Sequence, residues 1–370
     1  MTSNAGNMVR RLPPLPTIGD ILRIYGIRAK KSLSQNFIMD PRILKKFVKT
    51  AGNLTNRYVI EVGPGPGGIT RALLNAGAKQ VHVIEKDPRF LPSLKLIQEA
   101  AGENKLHITI GDCLHYNPAD AFSKSLAMPW NNPDEPQLIL VGNLPFNVAT
   151  PLLIRLLGSM HDKSNIYSLG RIPAILTFQH EVALRMAAPP GDLERSRLSV
   201  VTQNYTEVDY IFNLPGGAFV PPPEVEVGIV KLTPLTEPYI TGLPFSFINK
   251  VVTAIFSGKQ KQLKNSISIN LFPKKREVMA QKLLDMACVP FDQIAINLTM
   301  DEIGSICHAY KHICDEENDR LNGIKELENY EGPPLSKIHD EDKEKKRCHL
   351  SSSSTSDPLD KSEIQFDIRL

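Results

Sequence analysis

The residues best suited to chemistry are an Asn, a Pro and an aromatic that follow a short apolar run. A Leu-Ile-Leu-Val run predicts a buried strand, and Gly-Asn-Leu-Pro-Phe follows at residues 142–146. An amino group on a nucleobase has two N–H groups that can donate hydrogen bonds. The Asn143 side-chain oxygen can accept one, and the Leu144 carbonyl, held beside Pro145, can accept the other. Phe146 can stack on that base, as in recognition of unpaired nucleic acid. The alternative is an ordinary strand-to-turn transition, because Asn, Gly and Pro are common turn residues.

A glycine-rich turn earlier in the chain predicts a nucleotide-binding unit. A strand at residues 58–62 runs into Gly-Pro-Gly-Pro-Gly-Gly, and an apolar helix follows. This order of elements lets a ligand approach the backbone at glycines such as Gly63 and Gly65. The next strand ends at Glu85, about 20 residues past the glycines, where a carboxylate usually binds ribose hydroxyls.

The order of the strand ends favours S-adenosylmethionine over NAD as the cofactor. A third strand ends at Asp112, which could accept from an adenine amino group, and a fourth ends at Asn143, where a methyl acceptor would lie. The turn also reads Glu-x-Gly-x-Gly-x-Gly rather than Gly-x-Gly-x-x-Gly. All four features fall at carboxyl ends of successive strands, where open α/β sheets bind ligands. A dehydrogenase would share Glu85, and either acid taken singly is more simply a solvated loop residue.

In this order the motifs resemble those of the ribosomal RNA adenine N6,N6-dimethyltransferases, and most of all the animal mitochondrial branch of that family. The resemblance covers residues 10–315. It rests on the glycine-rich turn, the Asn-Leu-Pro-Phe segment, Leu-Ser-Gln-Asn-Phe at 33–37, Glu-Lys-Asp at 85–87, Gly-Asp at 111–112, Phe-Gln-x-Glu-Val-Ala at 178–183, Arg-Ser-Arg-Leu-Ser at 195–199 and Phe-Val-Pro-Pro-Pro-Glu-Val at 219–225.

The resemblance implies a role for each matching residue. The implied contacts to S-adenosylmethionine come from Gln35, Asn36, Ile38, Gly63, Gly65, Glu85, Lys86, Asp112, Cys113 and Asn143. Within this set Gln35 and Ile38 would close over the cofactor, Gly63 would meet its methionine part, Glu85 the ribose, and Lys86 and Asp112 the adenine. The segment from Asn143 through Phe146 would hold the target adenine, and Phe219 would supply a second aromatic face.

The implied reaction is N6-dimethylation of two adjacent adenosines in a hairpin loop near the 3′ end of mitochondrial small-subunit (12S) rRNA, in support of ribosome assembly. We expect a monomer in the mitochondrial matrix. A rival interpretation is a transcription accessory factor that binds mitochondrial RNA polymerase or promoter DNA. A DNA adenine methyltransferase would share the chemistry, but the sequence contains no dedicated DNA-reading motif.

The element pattern predicts an α/β fold with a small all-helical domain after it. Strands and helices alternate through residues 58–178, and we interpret residues 31–236 as a Rossmann-like methyltransferase domain. Its last strand, at residues 225–230, is expected to be antiparallel. Helical periodicity at residues 244–315 predicts a small helical domain, and the family resemblance implies that it binds RNA. Its lysines, Lys259, Lys261 and Lys264, stand where family members often carry Arg-Arg-Lys. Residues 316–370 are polar and predict a disordered tail.

Composition limits the remaining possibilities. Net charge is only +3, so a nucleic-acid surface must come from local clusters. No apolar run is long enough to span a membrane, and the five cysteines lack the spacing of a metal site. Residues 1–30 are basic and acid-poor, which is compatible with mitochondrial targeting. The alternative is a basic amphipathic helix over residues 18–31, and both interpretations can hold together.

Overall fold

The computed structural model of the chain describes residues 12–30, 33, 35–272 and 276–316. The first eleven residues of the predicted targeting segment and residues 317–370 of the predicted tail lie outside this part. The strands are β1 (Phe37–Ile38), β2 (Tyr58–Val62), β3 (Gln80–Glu85), β4 (Leu106–Ile110), β5 (Leu138–Gly142), β6 (Ala174–Gln179), β7 (Thr206–Leu214), β8 (Phe219–Val220) and β9 (Val227–Pro234). The helices are α1 (Ile18–Ile24), α2 (Pro41–Lys49), α3 (Gly68–Asn75), α4 (Leu91–Ala101), α5 (Phe146–His161), α6 (His180–Ala187), α7 (Arg197–Gln203), α8 (Phe245–Phe256), α9 (Leu263–Leu271), α10 (Arg276–Met286) and α11 (Met300–Glu316).

Seven strands form one mixed sheet in the order β4-β3-β2-β5-β6-β9-β7. The first five run parallel, and β9 lies antiparallel between β6 and β7. The register pairs Val62 with both Ile84 and Gly142, so β2, β3 and β5 end at one edge. The predicted α/β class and the antiparallel last strand are confirmed. Every residue of β5 is buried, as its apolar run predicts for an inner parallel strand.

A second, two-stranded sheet brings the N-terminal segment across this edge. Strand β1 pairs antiparallel with β8, so that Phe37 lies opposite Val220 and Ile38 opposite Phe219. Upstream, α1 is shorter than the helix considered for residues 18–31. It ends at Ile24 because Gly26 adopts a left-handed φ of +58°, which breaks the helical path.

The C-terminal helices are built on the same core as one face of the main sheet. One continuous hydrophobic cluster contains Leu140 of β5, Leu157 of α5, Ile248 of α8 and Ile306 of α11. A second cluster packs α2, α3 and α4 against the opposite face. The helical periodicity predicted for residues 244–315 corresponds to the four helices α8 to α11.

Among the described residues, Arg195 has the largest fully buried side chain, and it links the end of α6 to the segment before α11. Its guanidinium donates to the carbonyl of Ala188 at 3.0 Å and to the carbonyl of Leu298, two residues before α11, at 3.1 Å. Burial lowers the pKa of this guanidinium. Within the described residues, no helix is both long and apolar enough to cross a membrane.

Candidate active site

A cleft opens at the shared edge where β2, β3, β4 and β5 end. The N-terminal segment and β8 form its opposite wall. The predicted site residues that line the cleft are Gln35, Asn36, Ile38, Gly63, Gly65, Glu85, Lys86, Asp112, Cys113, Asn143, Leu144, Pro145, Phe146 and Phe219. The structure therefore brings together all the residues that the sequence assigns to the cofactor and to the target base.

The glycine-rich turn packs so closely against Leu144 and Ile97 that two of its glycines have no room for a side chain. Gly63 has a φ of +67°, and a Cβ there would lie 3.0 Å from the Leu144 side chain. Gly67 has a φ of +87°, and its Cβ would lie only 2.3 Å from Ile97. Larger residues are excluded both by backbone conformation and by contact. The turn can therefore pass directly beneath a ligand and lead into α3.

Glu85 lies at the end of β3 with its carboxylate fixed by backbone donors. Gly65 N–H donates to one carboxylate oxygen at 2.9 Å, and Asp87 N–H donates to the other at 2.8 Å. Burial raises the pKa of Glu85, and these two N–H groups offset part of the rise. A carboxylate has about four acceptor positions. Two therefore remain for paired hydroxyl donors such as those of a ribose.

Asp112 ends the strand next to β3 and forms an ion pair with Lys86. Lys86 Nζ lies 2.8 Å from the Asp112 carboxylate, and Leu114 N–H donates to the other oxygen at 2.9 Å. Burial alone would raise the pKa of Asp112, but these two donors outweigh it and lower the pKa. The two residues that the resemblance implies for the adenine thus bind one another, and Asp112 keeps acceptor positions toward the cleft.

Arg155 of α5 fixes the loop that carries Cys113. Its guanidinium donates to the Cys113 carbonyl at 2.6 Å and to the Tyr116 carbonyl at 3.1 Å. Because α5 begins at Phe146, one helix supports both the predicted adenine loop and the predicted target-base segment. Burial raises the pKa of the Cys113 thiol to about 11, so this thiol is neutral near pH 7.

Gln35 anchors the N-terminal segment instead of presenting a free amide. Its Nε2 donates to Asp87 at 3.0 Å, and its Oε1 accepts from Lys30 N–H at 3.0 Å. Arg89 binds the same aspartate at 2.6 Å and donates to the Arg28 carbonyl at 3.0 Å. Burial alone would raise the pKa of Asp87, but hydrogen bonds from Arg89 and Gln35 lower it to about 2. This network holds the segment across the cleft.

Asn143 is oriented by both sides of its amide. Its Nδ2 donates to the Asn36 carbonyl at 3.1 Å, and its Oδ1 accepts from the Thr177 hydroxyl at 3.1 Å. An amide oxygen has two lone pairs, so one remains for an amine N–H. The sequence analysis did not predict that Thr177 orients Asn143. The available signal was that Thr177 is the only hydroxyl-bearing residue in the apolar strand β6.

Two aromatic rings and a turn complete the target-base side. Phe146 is half-buried at the first position of α5, and Phe219 is 2% exposed. Pro145 precedes the helix, where its missing N–H leaves no helical hydrogen bond unmade. Leu144 is buried against the glycine-rich turn.

Glu61, at the start of the glycine-rich motif, lies behind the cleft rather than in its lining. Its Oε2 accepts from the Thr70 hydroxyl at 2.6 Å, while Oε1 has no partner and the side chain is buried. Burial raises the pKa of this carboxyl to about 8. Near pH 7 the protonated form therefore predominates.

The three predicted RNA-binding lysines differ in how free they are. Lys259 donates to the Leu193 carbonyl at 2.8 Å, and the Lys264 ammonium lies 5.1 Å from the centre of the Phe291 ring. Lys261 is exposed at the start of α9. In this conformation Lys261 is the best placed of the three to reach a phosphate.

The donor set fits S-adenosylmethionine. The cleft offers the fixed carboxylate of Glu85 for ribose hydroxyls and the carboxylate of Asp112 for an adenine amine. Gly63 leaves room for the methionine part. The fold and the site together define an S-adenosylmethionine-dependent methyltransferase.

The family description for ribosomal RNA adenine dimethylase matches residues 26–305, and the chain belongs to that family. The chain is an rRNA adenine dimethyltransferase, and S-adenosylmethionine is its cofactor. The sequence-based recognition, fold class and enzyme class are confirmed.

The relatives agree over most of the chain. It is 45% identical over 307 residues to dimethyladenosine transferase 1, mitochondrial, of Xenopus tropicalis, which covers 83% of this chain and 88% of the relative. Identity is 45% over 308 residues to the Homo sapiens protein of that name, with 83% and 88% covered. A dimethyladenosine transferase from Plasmodium falciparum has a similar fold, with a TM-score of 0.58, 23% identity, and 74% and 96% of the two chains covered.

Proposed function

We propose that this enzyme dimethylates N6 of two adjacent adenosines in the 3′-terminal hairpin loop of mitochondrial small-subunit rRNA and so supports ribosome assembly. The observation that carries the proposal is the Asn143 amide, fixed by Asn36 and Thr177 at the mouth of a cofactor cleft. The relatives named above are called mitochondrial dimethyladenosine transferases, which supports the substrate and the compartment.

The chain's task is to hold a poorly nucleophilic amine in a reactive orientation. When bound, S-adenosylmethionine supplies an electrophilic methyl group. The target adenine must be turned out of its stack to enter the cleft. The two N–H groups of the adenine N6 amine then donate hydrogen bonds, one to the free lone pair of Asn143 Oδ1 and one to the Leu144 carbonyl. These hydrogen bonds favour tetrahedral over planar geometry at N6.

The rings of Phe146 and Phe219 form apolar walls that can contact the base and exclude water. Positioning and electrostatics therefore supply most of the rate enhancement, and no strong base is needed before transfer. The methylated nitrogen is cationic and loses its proton readily to solvent. No carboxylate of the cleft has to act as a proton acceptor in this scheme.

The decisive experiment compares wild type with Asn143→Ala on a small-subunit rRNA hairpin. We expect tritiated methyl incorporation to fall by about 10²–10³, the usual effect of removing one transition-state hydrogen bond. Most of the S-adenosylmethionine affinity, measured by calorimetry, should remain, because Glu85 and Asp112 are unchanged. Near-normal incorporation by the variant would move the chemistry away from Asn143.

Nucleoside mass spectrometry of the product distinguishes one methyl from two. A parallel pull-down with mitochondrial RNA polymerase separates the enzyme from an accessory factor. Polymerase capture without methyl transfer by wild type would favour the accessory role.

RNA binding is proposed to involve the helices of residues 244–315. Lys261→Ala should lower the slope of log K against log salt by about 0.7–0.9, as expected for one lost phosphate contact. Lys282, which forms an ion pair with Glu316 on the same helical region, provides a matched control. An unchanged slope for the Lys261 variant would show that this lysine does not bind RNA. We also propose that the enzyme is a monomer of the mitochondrial matrix, targeted by its basic N-terminal residues.

A further inference from the structure

A second groove lies beside the β1–β8 strand pair, next to the cleft. We call it the flanking groove, and the residues that define it are Arg23, Ile27, Arg28, Phe37, Val220 and Pro221. Phe37 lines both the cleft and the flanking groove. The two sites are therefore directly adjacent.

We propose that the flanking groove binds the nucleotide next to the target adenosine in single-stranded RNA. The inference rests on the proposed function and extends it from one base to two neighbouring nucleotides. Across the two strands, Phe37 is paired with Val220 and Ile38 with Phe219. Phe219 is 2% exposed and lines the cleft, whereas Val220 is 49% exposed and lines the flanking groove. The strand pair thus borders two adjacent sites.

The charges of the flanking groove suit a phosphate. The Arg23 and Arg28 side chains are exposed on its rim. Arg23 lies 3.1 Å from Asp20, with the two side chains 81% and 42% exposed. Such an exposed pair is weak, so Arg23 can exchange the carboxylate for a phosphate oxygen. Arginine forks match phosphate geometry in two hydrogen bonds.

The floor and side of the flanking groove are apolar and held in place. Ile27 and Phe37 are 7% and 8% exposed, and together with exposed Val220 they offer a surface for the face of a base. Arg89 donates to the Arg28 carbonyl at 3.0 Å, which fixes the segment that carries both arginines. A groove formed before binding loses less conformational freedom when RNA enters. Continuity with the cleft and two arginines favour RNA over a protein partner.

The first test uses the full chain and the rRNA hairpin. In Arg23→Ala/Arg28→Ala the dissociation constant for RNA, measured by fluorescence anisotropy, should rise about tenfold or more, the scale of losing one charge-assisted hydrogen bond. The salt slope should fall by about 1.4 if both arginines bind phosphates of a single strand. Arg42→Ala is the matched control, because Arg42 is also exposed and paired with a nearby aspartate at 3.0 Å. We expect this control to leave RNA affinity unchanged.

The second test asks whether a base occupies the flanking groove. An abasic nucleotide beside the target should weaken RNA binding to wild type about fivefold or more, the scale of one lost stacking contact. Val220→Ser should itself weaken binding and should reduce that abasic penalty. Calorimetry with S-adenosylmethionine reports whether each variant keeps its fold and cleft.

The outcomes separate this inference from the proposed function. Absence of hairpin methylation by wild type refutes the proposed function. Normal wild-type methylation, together with unchanged RNA affinity and salt slope in the double arginine variant, refutes the flanking groove. An equal abasic penalty in wild type and Val220→Ser also refutes it. If the double arginine variant kept its RNA affinity but no longer bound a protein that wild type binds, the groove would belong to a protein partner and the inference would be overturned.

Discussion

Thr177→Val tests whether the orientation of Asn143 matters as much as its presence. The Thr177 side chain is fully buried, and its hydroxyl donates to Asn143 Oδ1 at 3.1 Å. Valine has a similar shape but no hydroxyl, so the substitution removes this donor with little change in volume. The Asn143 amide would then be held only through its hydrogen bond to the Asn36 carbonyl.

The expected loss follows from one hydrogen bond. A neutral hydrogen bond contributes about 0.5–1.5 kcal/mol net, which corresponds to about twofold to tenfold in rate if it acts only through the reactive orientation. The effect should therefore be much smaller than the loss expected for Asn143→Ala. S-adenosylmethionine affinity should stay at its wild-type value, because Thr177 does not line the cleft.

Single-turnover methyl transfer to the rRNA hairpin, with saturating cofactor and enzyme in excess, measures this step directly. Thr177→Ser is the matched control, since it keeps the hydroxyl and loses only a methyl group. A wild-type rate for Thr177→Val would refute the positioning role. Equal losses in the Val and Ser variants would show that packing, and not the hydroxyl, determines the rate.

Three further substitutions test other parts of the structure. Burial raises the pKa of Glu61 from 4.5 to about 8, so as the pH rises the unfolded chain loses this proton before the folded chain does. The free energy of unfolding should therefore fall between pH 4.5 and pH 8. Thermal melts of Glu61→Gln over this range should show a smaller fall. Gly142→Ala would place a Cβ 2.5 Å from Val62 and should destabilise the β2–β5 junction, visible as a lower midpoint in urea. Arg155→Ala should weaken S-adenosylmethionine binding in calorimetry, because two loop carbonyls lose their donor; unchanged affinity would show that this loop holds itself.

The parts that the sequence predicted depend on local patterns. The glycine-rich turn, the acid at the end of β3 and the Asn-Leu-Pro-Phe turn each occupy a few consecutive residues. Parallel strands bring such turns to one edge, so this part of the site was predictable from strand order. The roles of Gln35, Ile38 and Phe219, which lie outside these strand ends, came only from the family resemblance.

The pairings within the site were not predictable, because they join distant residues. Asn143 binds the Asn36 carbonyl across 107 positions, and Gln35 binds Asp87 across 52. Lys86 and Asp112 were both assigned to the adenine, but the structure also pairs them with each other. The length of α1 was overestimated because an apolar period does not reveal that Gly26 breaks the helix.

The hydrophobic cluster shared by α5, α8 and α11 has a mechanical consequence. Because one packed interior continues from the sheet into the C-terminal helices, these helices cannot swing relative to the cleft without opening that interior. The separation between the helical surface and the methyl-transfer position is therefore constant. If the helices hold the hairpin stem, the fixed distance between them and Asn143 means that stem length, as well as base identity, determines which loop nucleotide reaches Asn143.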